Sequence, residues 1–315
     1  LTLGEGYSLV EIAHELEAQA YCLLPALPYG WAGSAVAVSP DLLRQVVAGI
    51  FSGPHEEGFT RLVVVHGGEE PLDMLGVHQL RLPRVAPPAP PPCGHTEQHG
   101  YHLPMGTDTV IIDAIVRGVV EAIPDEAEML PTLPYGVSTH RREFAGTFNM
   151  GGRVFEDFML AVVDTLVGRG ADRLYLISGH GGNCSFLVNV VKFAGERHPA
   201  TFIATTWLHT SGRIAAPVVG KHRRSARGGM GHAGELETAY MLHLCPELCR
   251  MDEVVDETEF ISTPGYYMDW SEGGELVANP PWTDDTLTGS YGAGSLATAE
   301  NGARWLTAAV EEKIA

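Results

Sequence analysis

The stretch Arg173-Leu-Tyr-Leu-Ile-Ser-Gly-His-Gly-Gly182 decides the fold of this chain. It is a short β-rich run that ends in a glycine-rich turn, and residues 184–196 and 200–207 continue it as a helix and a strand. A strand, a glycine turn, a helix and a second strand in this order indicate a parallel sheet with helices on both faces. Ligands bind such sheets at the carboxyl ends of the strands, so we expect the glycine turn to border a binding crevice.

Apolar periodicity predicts further helices on either side of this unit, and the whole pattern indicates an α/β fold. The first of these helices has Thr107 or Asp108 near its start. The predicted helices cover residues 109–122, 154–167, 235–244 and 297–313.

An internal repeat precedes the working part of the chain. Leu24-Pro-Ala-Leu-Pro-Tyr-Gly30 nearly duplicates Leu130-Pro-Thr-Leu-Pro-Tyr-Gly136. Each copy continues with an apolar-periodic segment and then a β-rich run that ends in His-Gly-Gly, at 66–68 and at 180–182. We interpret the first copy as a shortened duplicate of one strand–helix–strand unit. The alternative is a coincidence between two such units with the same turn residues.

A proline-rich run separates the two copies. Leu82-Pro-Arg-Val-Ala-Pro-Pro-Ala-Pro-Pro-Pro-Cys93 cannot form an ordinary helix or a central strand, and it is typical of a stiff, extended connector. We therefore predict an incomplete N-terminal unit in residues 1–90 and a working domain in residues 94–315.

The composition excludes several function classes. The 315 residues are 45% hydrophobic, which argues against disorder. A formal net charge of −19 repels phosphate backbones and anionic membranes, so we expect neither nucleic acid nor a membrane as partner. Five cysteines without a C-x-x-C pair are typical of reduced thiols, which predicts a cytoplasmic protein.

Histidines and carboxylates concentrate in residues 95–108. Glu97 and His99 lie on the same side of an extended segment, and a carboxylate beside an imidazole suits Zn, Mn or Fe. The alternative is a histidine-rich surface loop. The five possible ligands in this segment are His95, Glu97, His99, His102 and Asp108.

Two later motifs add candidate site residues. The glycines around His180 allow the backbone to approach a ligand, although a turn histidine with an ordinary hydrogen bond is an equal alternative. His232 and Glu235 are three residues apart at a predicted helix start, so both can face one side. Glu237 should point elsewhere, as a cap, an ion-pair partner or a carboxylate that supports the ligands. We expect Cys184 to pack in the core rather than to act as a nucleophile.

Four residues are candidates for substrate binding. Trp207 ends a predicted strand and could stack on a flat substrate, while arginines in the basic run 221–230 could hold a carboxylate or phosphate. A core or rim position for the tryptophan and a solvated loop for the arginines are the alternatives. The candidates are Trp207, Arg223, Arg227 and Asn183.

These motifs, in this order, resemble those of the creatininase (creatinine amidohydrolase) family over roughly residues 94–315. The motifs are Thr96-Glu-Gln-His-Gly100 with His102-Leu-Pro104 and Thr107-Asp108, Tyr135-Gly136 with Gly146-Thr147, Gly179-His-Gly-Gly-Asn183, and His232-Ala-Gly-Glu-Leu-Glu-Thr238. The resemblance implies a three-layer αβα sandwich with a mostly parallel sheet, two divalent ions, hydrolysis of non-standard amides, and assembly as a hexamer.

The resemblance also implies a role for each site residue. His232 would be the acid/base, and His102 would support the ligands rather than bind the metal. Zinc is the first expectation, with manganese or iron as alternatives. The implied ligands are Glu97, Asp108 and His180 for one ion, and His99, Asp108 and Glu235 for the other.

The chain departs from creatininases proper at Gly181 and Gly182, where those enzymes carry Tyr-Glu. Creatinine is therefore not the favoured substrate, and the second ion's carboxylate has to come from Glu235. Residues 1–90 resemble an incomplete, non-catalytic second unit, because they lack the Glu-Gln-His-Gly and His-Ala-Gly-Glu motifs.

Three functions remain open at this stage. The first is metal-dependent hydrolysis of a small amide, lactam or formamide. The second is a metallopeptidase of the same fold that trims a peptide or a peptide-derived precursor. The third is a non-catalytic binding or scaffold protein, against which the intact ligand set argues.

Overall fold

The computed structural model describes Leu27 and residues 37–56, 92–139 and 143–315, with residues 51–56 described by their backbone. The first repeat motif and most of the proline run lie outside the described residues, so the domain division stays a prediction. The strands are β1 (Pro92–Cys93), β2 (Arg173–Ser178) and β3 (Phe202–Thr205). The helices are α1 (Pro40–Glu56), α2 (Thr107–Ala122), α3 (Gly152–Gly168), α4 (Gly181–Arg197), α5 (Ala215–His222), α6 (Glu235–Leu244) and α7 (Ala299–Ile314).

The three strands form a parallel sheet in the order β1-β2-β3. Cys93 pairs with Ser178, and Leu174 pairs with Ile203. A further extended segment borders β1, since Leu133 N–H donates to Pro92 O (3.0 Å) and Gly94 N–H donates to Leu133 O (2.9 Å). The predicted parallel sheet is confirmed.

The end of the proline run lies inside this sheet, contrary to our prediction that the run cannot form a central strand. Pro92 opens β1, between the Leu133 segment and β2. Proline is tolerated at the first residue of a strand because only one ladder donor is lost there. Its carbonyl still accepts the hydrogen bond from Leu133.

Helices cover both faces of the sheet, as the αβα prediction requires. Alternate residues of β2 point to opposite faces: Leu174 and Leu176 join a core that α3, α4 and α1 share, whereas Ile177 joins a core that α2, α6 and α7 share. The N-terminal α1 packs into the first core through Leu43, Val46 and Ile50.

The observed helices differ from the predicted ones mainly at their starts. Helix α4 begins at Gly181, three residues earlier than predicted, so that His180 is its N-cap residue at the carboxyl end of β2. Helix α2 begins at Thr107, and Asp108 therefore lies in its first turn. Among the described residues, no helix is both long and apolar enough to cross a membrane.

Candidate metal centre

His180 belongs to the stretch 173–182, which forms β2 and the glycine turn, and its side chain lies in the candidate site. Its backbone is fixed by Ser178, whose hydroxyl donates to His180 O (2.8 Å). Its ring Nε2–H donates to Val137 O (2.9 Å). The other ring nitrogen, Nδ1, lies 3.2 Å from Glu97 Oε1 and 3.1 Å from Asp108 Oδ2.

His99 meets the opposite oxygen of the same aspartate. Its Nδ1–H donates to Glu97 O (3.1 Å), and its Nε2 lies 3.2 Å from Asp108 Oδ1 and 3.7 Å from Glu237 Oε2. The two carboxylate oxygens of Asp108 thus face two different imidazoles. An aspartate in this position can bridge two ions.

His232 closes the third side of the cluster. Its Nε2–H donates to Gln98 O (2.7 Å), and its Nδ1 lies 3.6 Å from Glu97 Oε1 and 3.9 Å from Glu237 Oε2. The His232 and His99 rings are 4.1 Å apart between centroids.

The chemistry of this donor set fits a divalent cation. Each of the three imidazoles uses one nitrogen on a backbone carbonyl, so the other nitrogen directs its lone pair at carboxylates. Lone pairs and buried anions repel one another unless a positive charge lies between them. Histidine ligands of metals show the same anchoring of the second ring nitrogen.

Three overlapping sets of residues could each hold an ion, because their ligand atoms lie within 4.8 Å of one another. Every member is buried. The sets are His95, Glu97 and His180; Glu97, His99 and His232; and His99, Asp108 and Glu237.

Burial and charge act in opposite directions within the cluster. Burial would raise the pKa of Asp108, but the neighbouring His99 and His180 hold it well below its usual range. Burial would lower the pKa of His99, but the charge of Asp108 and its hydrogen bond raise it. Both pKa directions have the same cause, which is the close approach of the imidazoles to the Asp108 carboxylate.

The structure brings together Glu97, His99, Asp108 and His180, but it does not bring Glu235 to them. The Glu235 carboxylate accepts hydrogen bonds from the N–H groups of Arg224 (2.8 Å) and Ser225 (2.6 Å). Glu237 lies in the cluster instead. Our placement of these two carboxylates was therefore wrong.

The backbone before α6 explains why Glu237, and not Glu235, lies in the cluster. Helix α6 begins at Glu235, and Ala233 has a positive φ of 52°, so His232 precedes the helix and does not share its spacing. Glu237 is the third helical residue, and its Oε2 accepts a hydrogen bond from Ala233 N–H (2.6 Å). A glutamate three residues after an N-cap is a recognised capping pattern, and a cap was among the roles that we expected for Glu237.

Two further residues support the site. His95 stacks on His180 with 4.3 Å between centroids, and its Nε2 lies 3.8 Å from Glu97 Oε2. The Ser138 hydroxyl donates to the same oxygen of Glu97 (2.8 Å). The sequence offered His95 only as a fifth possible ligand, and Ser138 carries no motif that marks it.

Gly182 is required by the close approach of two groups. A Cβ at this position would lie 2.2 Å from Val137 O and 2.4 Å from His180 Nε2. A side chain there would require Val137 O and the His180 ring to shift, and these two groups form the hydrogen bond that orients His180. With glycine at position 182, the carboxylate of Glu237 lies in the cluster.

Three of the four predicted substrate-binding residues have other partners. Asn183 is buried, where it accepts from Val137 N–H (2.9 Å) and donates to Gly94 O (3.1 Å). Arg223 is paired with buried Asp269 (3.0 Å). Arg227 lies over the ring of Tyr267, 4.0 Å from its centroid, and donates to Glu272 O. These side chains hold loops rather than present a free anion site.

Trp207 remains at the rim of the site. It is 45% exposed. A Cβ on Gly181, the residue after His180, would lie 3.8 Å from its ring and 3.4 Å from the ring of Trp270.

Two other expectations concern residues beside the cluster. The Nε2 of His102 bonds to Thr238 Oγ1 (3.0 Å), and burial with the charge of His99 lowers its pKa to about 4. Cys184 is buried, burial raises its pKa to about 12, and its thiol donates to His180 O (3.6 Å). A neutral thiol in this setting packs and does not attack, as we expected.

A three-layer α/β sandwich with a buried histidine–carboxylate cluster at the carboxyl ends of its strands is typical of a metal-dependent enzyme. This chain belongs to the creatininase family, described as creatinine amidohydrolase, whose model matches residues 86–315.

The relatives of this chain are named for more than one activity. The chain is 34% identical over 174 residues to a mycofactocin precursor peptide peptidase of Mycobacterium tuberculosis, covering 53% of this chain and 62% of the relative. It is 29% identical over 181 residues to a creatinine amidohydrolase of Pseudomonas putida, covering 52% and 67%. The chain thus spans less than two thirds of the mycofactocin peptidase.

Solved structures support the fold. A creatinine amidohydrolase (creatininase) superposes with a TM-score of 0.63 at 23% identity, over 73% of this chain and 88% of the other. A structure described as "Creatininase Mn" gives 0.62 at 24% identity, over 73% and 89%. At this level of identity the likeness establishes the αβα sandwich.

Proposed function

We propose that this protein is a hydrolase that uses two divalent metal ions to cleave an amide C–N bond. The observation that carries the proposal is the buried cluster in which three anchored imidazoles direct their second nitrogens at carboxylates. Glu97, Asp108 and His180 would hold one ion, and His99, Asp108 and Glu237 the other. Zinc is the first candidate, and manganese or iron are alternatives.

Metal ions bound there would supply a water of lowered pKa and polarise the substrate carbonyl. The chain's own contribution includes proton transfer by His232. Its Nε2–H is held by Gln98 O, so Nδ1 is free of that proton and faces the carboxylates, where it can accept a proton and return it to the leaving nitrogen. Ser138 fixes the orientation of Glu97.

Two substrate classes fit this chemistry. A small amide, lactam or formamide needs only the cluster. A peptide or peptide-derived precursor is favoured by the 32–34% identity to mycofactocin precursor peptide peptidases. Cytoplasmic location, which the cysteine pattern favours, and hexameric assembly, which the family resemblance implies, remain proposals.

The function is tested by metal removal and addition. We expect chelated protein to lose hydrolysis of formamides, lactams and short peptides, and to regain it with Zn, Mn or Fe. Full activity after complete chelation would contradict the proposal. A metal count clearly above two per chain would contradict a non-catalytic N-terminal unit.

The role of His232 is tested by His232→Ala, with His198→Ala as the control. His198 also pairs with a carboxylate, Asp164 (2.6 Å), but at a half-buried position. We expect His232→Ala to keep its metal and to lose activity by ~10²–10⁴-fold, the usual contribution of general acid–base catalysis. Loss of metal from this variant would assign His232 as a ligand instead.

A further inference from the structure

We infer that residues 282–292, a segment outside every sequence motif, position His232, and that Glu257 fastens this segment. The inference rests on the proposed function, in which His232 transfers the proton. Segment 282–292 lies between the last metal-site helix, α6, and the C-terminal helix α7. It approaches His232 from two sides.

The first side is the backbone and ring of His232 itself. Tyr291 N–H donates to His232 O (2.7 Å). The buried Trp282 ring lies 5.4 Å from the imidazole, at an angle of 63°. Tyr291 packs on Trp282 with 4.2 Å between centroids, so the two contacts belong to one rigid unit.

The second side is the carbonyl that selects the tautomer of His232. The Gln98 side chain donates to Gly289 O (3.0 Å) and accepts from Gly100 N–H (2.8 Å). Gln98 O accepts the Nε2–H of His232 (2.7 Å). Gly289 has a φ of 82°, and a Cβ there would lie 2.3 Å from the Gln98 amide. Segment 282–292 therefore fixes both the histidine and its hydrogen-bond acceptor.

Glu257 fastens the segment at its turn. Its carboxylate accepts from the N–H groups of Leu287 (2.7 Å) and Thr288 (3.1 Å) and from the hydroxyls of Thr286 and Thr288. Its backbone pairs with Gly292 through two hydrogen bonds of 3.0 and 2.8 Å. One side chain thus satisfies several donors of a segment that, after a single 3-10 turn at 282–284, belongs to no α-helix or strand.

The inference distinguishes Glu257 from an ordinary loop anchor. An anchor would change stability alone. A positioning residue should change kcat, because a displacement of ~1 Å at a reacting group can cost as much as 10²-fold in rate. KM and metal content should stay unchanged, since the contacts of the segment go to His232 and Gln98.

The test compares Glu257→Gln with Asp256→Asn. Asp256 is the adjacent carboxylate and also accepts from a backbone N–H and a hydroxyl, both of Ser295, at an exposed position. We expect Glu257→Gln to lower kcat about tenfold with KM and bound metal unchanged, while Asp256→Asn stays near wild type. Crystal structures of both variants should show a longer Nε2–O contact between His232 and Gln98 in Glu257→Gln only.

Equal kcat in the two variants, or a loss explained by metal content or KM, would overturn the inference. If Glu257→Gln does not fold, Thr288→Val and Thr288→Ser replace it: the valine removes the hydroxyl donor and should lower kcat, and the serine should restore it. Full activity in His232→Ala would refute the proposed function. Reduced activity in His232→Ala with normal activity in Glu257→Gln would refute the positioning role alone.

Discussion

The buried cluster and the basic loop of residues 221–230 are both rich in charge, but they use it differently. In the cluster, each imidazole gives one nitrogen to a backbone carbonyl and turns the other toward carboxylates. In the loop, Arg223 bonds to Ser225 O, Ala226 O and Asp269, so its donors are spent on holding the fold. Each imidazole thus keeps one nitrogen turned toward carboxylates, where an ion can bind, whereas the guanidinium of Arg223 is matched by backbone carbonyls and a buried carboxylate.

The comparison is tested most strongly at Asp108. Asp108→Asn should abolish metal binding and lower activity by more than the ~10–100-fold typical of residues that only orient a ligand. Asp113→Asn, in the same helix but bonded to Thr132 and Arg117, is the control and should leave the metal content unchanged. Metal analysis and kcat/KM measure the difference. Normal metal content in Asp108→Asn would refute its bridging position.

Glu235 and Glu237 lie within one turn of α6, but only Glu237 lies in the buried cluster. Glu237→Gln should lose metal affinity and activity by more than the ~10–100-fold typical of residues that only orient a ligand, because it replaces a proposed metal ligand. Glu235→Gln should keep the metal and lower the free energy of unfolding by ~1–3 kcal/mol, because it weakens charge-assisted bonds to two backbone N–H groups. Metal titration and urea unfolding separate the two effects. The opposite pattern would restore Glu235 as the ligand.

The basic loop should respond in stability and not in substrate affinity. Arg223→Ala breaks a buried pair with Asp269 and should lower the free energy of unfolding by about 2 kcal/mol with KM unchanged. Arg227→Ala removes only a surface cation–π contact, worth ~0.5–1 kcal/mol. A raised KM at normal stability would instead return these arginines to the substrate site.

Glu312 is a carboxylate whose contribution to stability should depend on pH. Its carboxylate accepts from the N–H groups of Gly212 (3.1 Å) and Ala215 (2.9 Å), at the start of α5. Burial would raise its pKa, but these bonds and Lys313 lower it. The charged form therefore stabilises the fold above the unfolded pKa of about 4.3, and this stabilisation is lost as the pH falls through the lower folded pKa.

Glu312→Gln should accordingly be less stable than wild type by about 1 kcal/mol at pH 7, as expected for the loss of a helix cap. The gap should narrow as the pH falls below about 4.3. Urea midpoints at several pH values measure it. A gap that is constant across this range would show that the charge of Glu312 is not what stabilises the helix start.

Much of the fold follows from the sequence because its signals are local. The strand and glycine turn at 173–182 and the helix periodicities predict the αβα layers, which the structure and the family match confirm. The motif residues Glu97, His99, Asp108 and His180 also meet as expected.

The sequence-based predictions were wrong where a single backbone angle, or a contact between residues far apart in the sequence, determines the structure. A positive φ at Ala233 moves His232 out of helical register and exchanges Glu235 for Glu237. Pro92 enters the sheet because Leu133, forty-one positions away, supplies its neighbour (133 − 92 = 41). Segment 282–292 has no periodicity, so its contact with His232 is visible only in three dimensions.

The buried amide of Asn183 has a consequence for protein engineering. It joins Val137 N–H and Gly94 O, the residues directly before Ser138 and His95, and it lies three positions after His180. One side chain therefore sets the relative position of three chain segments that carry the site. If only the ligands were transplanted to another sheet, nothing would fix the positions of these segments relative to one another. A functional site needs its side chains held within about 0.5 Å of the productive geometry. The smallest portable version of this centre includes an asparagine that touches no metal ligand's donor atom.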